Sequence, residues 1–308
     1  MTLLALRRHL EKIYRSGSEN CTGGDNAENE ISYLLCSYFD KSFTWLAVNP
    51  GLEISDDDKE RLVSAVGRVN SGEPVQYVIG RAPFLGRTFF INNNVLIPRL
   101  DTECLYDEAR ARIKSLLSER KNCCIEPAAR GTGGEDRREQ LRVLDLCTGS
   151  GILAISLKIE FPEADVTATD ISAKALEVAR RNALKYSCEI GFVESDLFGA
   201  IPLGRQFDII VCNPPYISEE EFETVPHNVK DFEPLIALKG GLDGNDFYRK
   251  ITAAAGDYLK PGGWLCYEIG ESQGDAVSWI MSENRFIDVT VTKDIAELDR
   301  VVCGRMAE

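Results

Sequence analysis

Val143-Leu144-Asp145-Leu146-Cys147-Thr148-Gly149-Ser150-Gly151 reads as a short buried strand that runs into a small-residue turn and then a helix. Small residues at such a turn let the backbone approach a ligand closely. No Gly-Lys-Ser/Thr follows, so this is not a Walker A loop, and the full G-x-G-x-x-G of dinucleotide enzymes is missing too. Outward from this stretch, apolar strand-like runs at 143–146, 166–169, 190–193, 209–212, 264–267, 289–291 and 301–303 alternate with helical patterns. The helical patterns lie at 152–160, 173–185, 246–259 and 273–283. Such alternation predicts a mostly parallel, doubly wound α/β sheet. The last two strands are separated by few residues, which predicts an antiparallel edge hairpin.

In such a sheet ligands bind at the carboxyl ends of the strands. Asp170 closes the second strand, where a carboxylate can accept two hydrogen bonds from a ribose diol. Asp196 follows the third strand in Glu194-Ser195-Asp196-Leu197-Phe198 and suits an adenine amino group, with Phe198 placed to pack on the purine. Asp145 beside the glycine turn either orients that loop or faces a cationic ammonium, which fits an S-adenosyl-L-methionine donor better than a diphosphate. The candidate donor site is therefore Asp145, Cys147, Thr148, Gly149, Ser150, Gly151, Asp170, Asp196 and Phe198, joined by Asn213.

Phe207-Asp208-Ile209-Ile210-Val211-Cys212-Asn213-Pro214-Pro215-Tyr216 is a buried-strand pattern that stops abruptly. Two prolines fix φ and forbid continuation of the ladder, so Asn213 is held stiffly at the strand tip. An amide or exocyclic amino nitrogen is a poor nucleophile because its lone pair is delocalised. The Asn213 side-chain oxygen and the Pro214 carbonyl can each accept one N–H of such a group and aim the nitrogen at a methyl donor. Tyr216 can stack on the planar acceptor. By itself the motif does not separate adenine N6, guanine N2 and a glutamine amide, since all three present a planar NH2.

Before this region, Leu3, Leu6, Leu10, Ile13 and Tyr14 recur at helical spacing, as do Ile31, Leu34, Leu35 and Tyr38. A polar loop is expected at 16–28 between them, and a third helix from Ser55, ending near Gly72. The runs Tyr77-Val78-Ile79 and Thr88-Phe89-Phe90-Ile91 read as a β-hairpin, followed by a helix from Asp101 to about Leu117. A Gly-rich, charged surface insertion spans 121–140. The expected organisation is an N-terminal helical, substrate-binding domain (1–75), a hairpin linker (76–100) and a methyltransferase domain (101–308).

A net charge of −14 sets the chain at a disadvantage for wrapping nucleic acid, which needs phosphates neutralised. No direct contact with DNA is expected. No uncharged apolar run approaches the roughly 20 residues that cross a bilayer, and the charges of the first eight residues follow the apolar stretch, unlike a secretory signal. Ten cysteines without a repeating framework read as reduced thiols of a cytoplasmic protein. No metal site is expected, because zinc-like spacings are missing and there are only two histidines. Nothing demands an oligomer, so a monomer is expected.

Several further runs bear on the acceptor. They are Gly72-Glu73-Pro74-Val75-Gln76-Tyr77-Val78-Ile79-Gly80; Val95-Leu96-Ile97-Pro98-Arg99-Leu100-Asp101-Thr102-Glu103; Glu233-Pro234-Leu235-Ile236-Ala237-Leu238-Lys239-Gly240-Gly241-Leu242-Asp243-Gly244; and Asp299-Arg300-Val301-Val302. Together with Asn213 to Tyr216, they resemble the peptide chain release factor N5-glutamine methyltransferases (the HemK/PrmC family), from about Ser71 onward. The resemblance implies a class I Rossmann-like methyltransferase with a seven-stranded sheet, acting in translation termination. Its substrate would be the glutamine of the Gly-Gly-Gln motif in class 1 release factors, held by Asn213, Pro214, Pro215 and Tyr216, with Arg99 and Glu103 near the active-site mouth, either binding ligand or pairing with each other. Leu100 stands where the family usually has proline, and Cys147 where it usually has glycine. Two other readings stay open: a nucleic-acid amino-methyltransferase that splays out its base, and a non-catalytic donor-binding protein that docks through its helices.

Overall fold

Leu3, Leu6, Leu10 and Tyr14 form one buried stripe on the first helix, α1 (Leu3–Gly17), the helical period made visible. The computed structural model describes residues 1–17, 27–123 and 140–308. Most of the expected loop at 16–28 and of the insertion at 121–140 therefore lies outside the described residues. Two compact units emerge, one of Met1–Arg81, Ile91–Asn93 and Val225–Glu233, the other of Ala82–Phe90, Asn94–Thr224 and Pro234–Glu308.

In the first unit, α2 (Ala27–Phe39), a short α3 (Phe43–Val48) and α4 (Asp56–Asn70) join α1 around one apolar core. The expected start of α4 holds: Ser55 Oγ accepts from the Asp58 amide at 3.1 Å. Asp56, Asp57 and Asp58 sit in the first turn, where the helix dipole favours negative charge. Tyr77-Val78-Ile79 is not a strand. It belongs to a one-turn helix, α5 (Val75–Ile79), entered at Pro74 and stopped by Gly80 at φ 75°. Proline suits a helix start because its missing N–H would be unpaired there anyway, and glycine readily takes the left-handed stop. The hairpin forms just beyond, from β1 (Arg81–Phe84) and β2 (Arg87–Phe90), with Leu85 and Gly86 both at positive φ as a twisted two-residue hairpin turn requires.

The second unit continues through α6 (Thr102–Cys123), β3 (Arg142–Leu146), α7 (Ile152–Glu160), β4 (Asp165–Asp170), α8 (Ala173–Lys185), β5 (Gly191–Glu194) and β6 (Phe207–Cys212). The short helices α9 (Glu219–Thr224) and α10 (His227–Lys230, part of the first unit) come next. Then follow α11 (Asp246–Ala255), β7 (Leu259–Glu268), α12 (Gly274–Glu283), β8 (Phe286–Lys293) and β9 (Asp299–Met306). Helix α11 stops short of the expected 259, because Leu259 already pairs with Phe207 in the sheet.

Seven strands form one sheet in the order β5-β4-β3-β6-β7-β9-β8. β3 through β7 run parallel, and β9 is antiparallel to both β7 and β8. Every residue of β6 is buried, as a strand covered by helices on both faces demands. The chain leaves β3 first toward β4 and later returns to β3's other side as β6, so the switch point lies at the carboxyl ends of β3 and β6. Register then orders the edge. Leu146 pairs with Thr169 on one side and Cys212 on the other, and Cys212 pairs with Tyr267. The residues that follow these positions are Cys147, Asp170, Asn213 and Glu268.

Candidate active site

The turn after β3 is built from left-handed residues, with Cys147 at φ 59°, Gly149 at 54° and Gly151 at 83°. A glycine is the easier residue at the first of these, so Cys147 carries some backbone strain. Gly151 is tightly placed, since a β-carbon there would stand 3.1 Å from Ala179 Cβ, where α8 crosses, on a left-handed backbone. Thr148 N–H donates to Thr169 O at 2.9 Å and ties the turn to β4.

Asp170 accepts from the amides of Gly149 and Ser172, each at 2.9 Å. Ser172, not Asp170, caps α8 by accepting from Ala175 N–H, which leaves the remaining lone pairs of Asp170 for a ligand. Burial raises its carboxyl, while the Ser172 and Gly149 amides pull it down. Asp145 is 1% exposed. Its Oδ2 accepts from Thr148 Oγ1 at 2.6 Å and from Ala154 N–H at 3.0 Å, but its Oδ1 is buried with no partner. Burial pushes this carboxyl up to about 7.

After β5, Ser195 N–H donates to Asp170 O, and Ser195 Oγ donates to Leu197 O at 2.7 Å. Leu197 takes φ 49°. This turn leaves Asp196 exposed and sends Phe198 inward. Phe198 stacks on Tyr258, centroids 4.4 Å apart and planes 8° apart. Phe198, expected to pack on the purine, thus lies in the core with its ring paired, and Leu197 beside it lines the cavity.

At the tip of β6, Asn213 is half-buried and its Nδ2 donates to Thr102 Oγ1 at 3.3 Å. Pro214 and Pro215 are buried, and Tyr216 packs on the core beneath them. Burial, with the Glu268 carboxylate nearby, holds the Tyr216 phenol well above its ordinary value. The Tyr216 carbonyl accepts from Gln273 Nε2 at 3.1 Å. Beside it runs the glycine loop 240–244, where Gly240 N–H donates to Ile217 O at 2.8 Å.

A cavity of about 340 Å³ opens between these pieces. Asp145, Cys147, Thr148, Gly149, Ser150, Asp170, Asp196, Asn213, Pro215 and Arg99 all line it. Gly151, Pro214, Tyr216, Phe198 and Glu103 are not among the residues that line it; Glu103 Oε1 accepts from Leu85 N–H at 2.9 Å and steadies the hairpin turn. Sequence reasoning missed Leu197, Phe247 and Lys250 in the wall. Leu197 adjoins the residue that was chosen, whereas nothing in the spacing of Phe247 and Lys250 marks them.

The orphaned Asp145 oxygen is the strongest sign of what fills the cavity. A buried acceptor without a donor is costly, and a ligand ammonium would satisfy it, while Asp170 offers acceptors for a diol. A nucleoside with a cationic tail fits both, facing a rigid amide, as in the S-adenosylmethionine-dependent methyltransferases.

Comparison with known proteins agrees and narrows the class. The family model "Methyltransferase small domain" matches residues 135–230, and "PrmC N-terminal domain" matches 13–80. A release factor glutamine methyltransferase of Koribacter versatilis is 37% identical over 298 residues, 96% of this chain and 98% of the relative. Its counterpart in Geobacter sulfurreducens is 36% identical over 92% of this chain and 91% of its own. That of Neisseria gonorrhoeae is 38% identical over 84% and 86%. The chain belongs to the release factor glutamine methyltransferase family.

Proposed function

We propose that the protein transfers a methyl group from S-adenosyl-L-methionine to the side-chain amide nitrogen (N5) of the glutamine in the Gly-Gly-Gln motif of class 1 peptide chain release factors. The observation that carries this reading is the place of Asn213, locked before two buried prolines and lining the same cavity as the donor turn. The donor supplies an electrophilic methyl that carries its own leaving group. What the chain adds is aim. Asn213 Oδ1 and the Pro214 carbonyl accept the two N–H groups of the substrate amide and hold its nitrogen in line, a positioning effect worth several kcal/mol. The methylated amide nitrogen is strongly acidic and loses its proton without a dedicated base. Arg99, in the cavity wall, and Glu103 are assigned to the mouth that receives the substrate.

The N-terminal helices (1–75) serve as the substrate-binding domain, the hairpin segment (76–100) as the linker and 101–308 as the catalytic domain. The net charge of −14 suits a basic protein partner better than DNA. The protein acts as a cytoplasmic monomer, and among the described residues no helix is long and apolar enough to cross a membrane. The test is labelled methyl transfer to a purified release factor, with its Gly-Gly-Gln glutamine mutant, RNA and DNA as controls. Label on the release factor alone is expected, while label on RNA or DNA would overturn the reading. Asn213→Ala is expected to abolish transfer while donor binding persists.

A further inference from the structure

The Cys212–Tyr267 pairing makes Asn213 and Glu268 neighbours at the carboxyl edge. Glu268 is 1% exposed, and its Oε2 has no hydrogen-bond partner. The Thr102 hydroxyl and the Asn213 amide both donate toward this carboxylate, and Asn213 Nδ2 also donates to Thr102 Oγ1. Thr102 is itself 2% exposed. The other ionisable groups that face Glu268 are Arg300 of β9, Asp101 ahead of α6, Tyr216 after β6 and Tyr248 of α11.

An asparagine amide has a donor end and an acceptor end of almost the same shape, so its partners decide which way it points. An ionised carboxylate only accepts. Placed behind Asn213, it draws the NH2 end and the Thr102 proton inward and leaves Oδ1 directed at the cavity. A neutral group at the same place could donate to Thr102, freeing the hydroxyl proton to face Asn213 Oδ1 and turning the amide round.

We propose that Glu268, acting with Thr102, is a positioning residue that sets the direction of the Asn213 amide and so presents Oδ1 to the substrate amide. The proposal rests on the assignment of Asn213 to that amide. Burial pushes the Glu268 carboxyl up to about 7, so the inward acceptor is fully formed above that pH and lost below it.

Glu268→Gln preserves size and gives the site a donor. It is expected to lower kcat about 10- to 100-fold, the range of one misdirected buried hydrogen bond, while KM and donor affinity stay near wild type. Wild-type kcat should fall as pH drops through 7, and E268Q should lack that limb. Thr102→Ser keeps the hydroxyl and should retain activity; Thr102→Val should fall with E268Q. The NH2 resonances of Asn213 should shift with a midpoint near pH 7 in the wild-type protein alone. Wild-type kcat and pH profile in E268Q, or equal rates for T102S and T102V, would overturn the proposal. Should E268Q fail to fold, the Thr102 pair and the wild-type resonances decide. If the wild-type protein methylates no release factor, the assigned function fails, and a pH-independent Asn213 NH2 would then sink this proposal separately.

Discussion

Gly240 and Tyr216 pass so closely that a β-carbon on Gly240 would lie 2.7 Å from the Tyr216 Cα. No real side chain tolerates that approach to a backbone, so the loop must move, and Tyr216 lies three residues from Asn213. Gly240→Ala is expected to cut methyl transfer at least tenfold. It should also destabilise the fold by about 1–3 kcal/mol, as overpacking does. Steady-state kinetics and thermal unfolding check both. Unchanged activity would show that the loop does not brace the acceptor motif.

Gly67 offers the opposite case. It lies inside α4, exposed, and a β-carbon added there would meet nothing within 4 Å. Gly67→Ala should stabilise the protein by about 0.5–1 kcal/mol, because alanine loses less backbone freedom in a helix. Methyl transfer should not change. A lower melting temperature would mean that this face of α4 is covered in solution.

Asp145 predicts a pH dependence of donor binding. Its carboxyl titrates at about 7 in the free protein, and only the ionised form pairs fully with an ammonium. Affinity should therefore rise as pH increases from 6 to 8, with proton release on binding below pH 7. Asp145→Asn should flatten this profile and weaken binding roughly tenfold or more at pH 8, the loss of a charge-assisted hydrogen bond. Calorimetry in buffers of different ionisation enthalpy counts the protons directly. A flat wild-type profile would remove Asp145 from the donor site.

The same group bears on stability. Its pKa is raised on folding, so between about 4 and 7 the native state holds a proton that the unfolded chain has released. Its stabilising contribution is complete at low pH and is lost as pH rises through 7. Glu268, raised from 4.5 to about 7, acts in the same direction. Between pH 5.5 and 7.5 the melting temperature of the donor-free protein should fall, and by less in a D145N/E268Q double variant. An equal fall in both would refute the assignment.

Asp170 supports a simpler test. Each of its oxygens already holds a backbone amide, so Asp170→Ala frees the Gly149 turn as well as removing the diol acceptor. Donor affinity should drop on the order of 100-fold, about 3 kcal/mol at the upper end for hydrogen bonds to a charged group. Asp170→Asn, which keeps one acceptor, should fall between. Wild-type affinity in D170A would place the ribose elsewhere.

The sheet was legible because its strands are apolar runs between helical patterns, and their carboxyl ends name the edge where ligands gather. Register did the rest, setting Asp170, Cys147 and Asn213 side by side, which linear distance hides. The errors were local. Tyr77-Val78-Ile79 is apolar enough for a strand, but Pro74 and Gly80 bracket a single helical turn. The stacking of Phe198 on Tyr258, set by the left-handed Leu197, is a further local feature that spacing does not reveal. Glu103, expected at the mouth, also accepts from the Leu85 amide, a contact that the sequence does not announce. Glu268 was within reach: it follows a predicted strand at the binding edge, the position that had singled out Asp170. The reason for the 240–244 glycines was not, since it depends on a neighbour, Tyr216, that only the folded chain supplies.

The chain crosses from the end of α6 to the amino end of β3, and every group assigned to chemistry sits at the carboxyl end of the sheet. Gln140, which leads into the amino end of β3, therefore lies on the side of the sheet away from methyl transfer. Gln140 is exposed there, so a cysteine at that position is a natural attachment point for a fluorophore that leaves the reaction untouched.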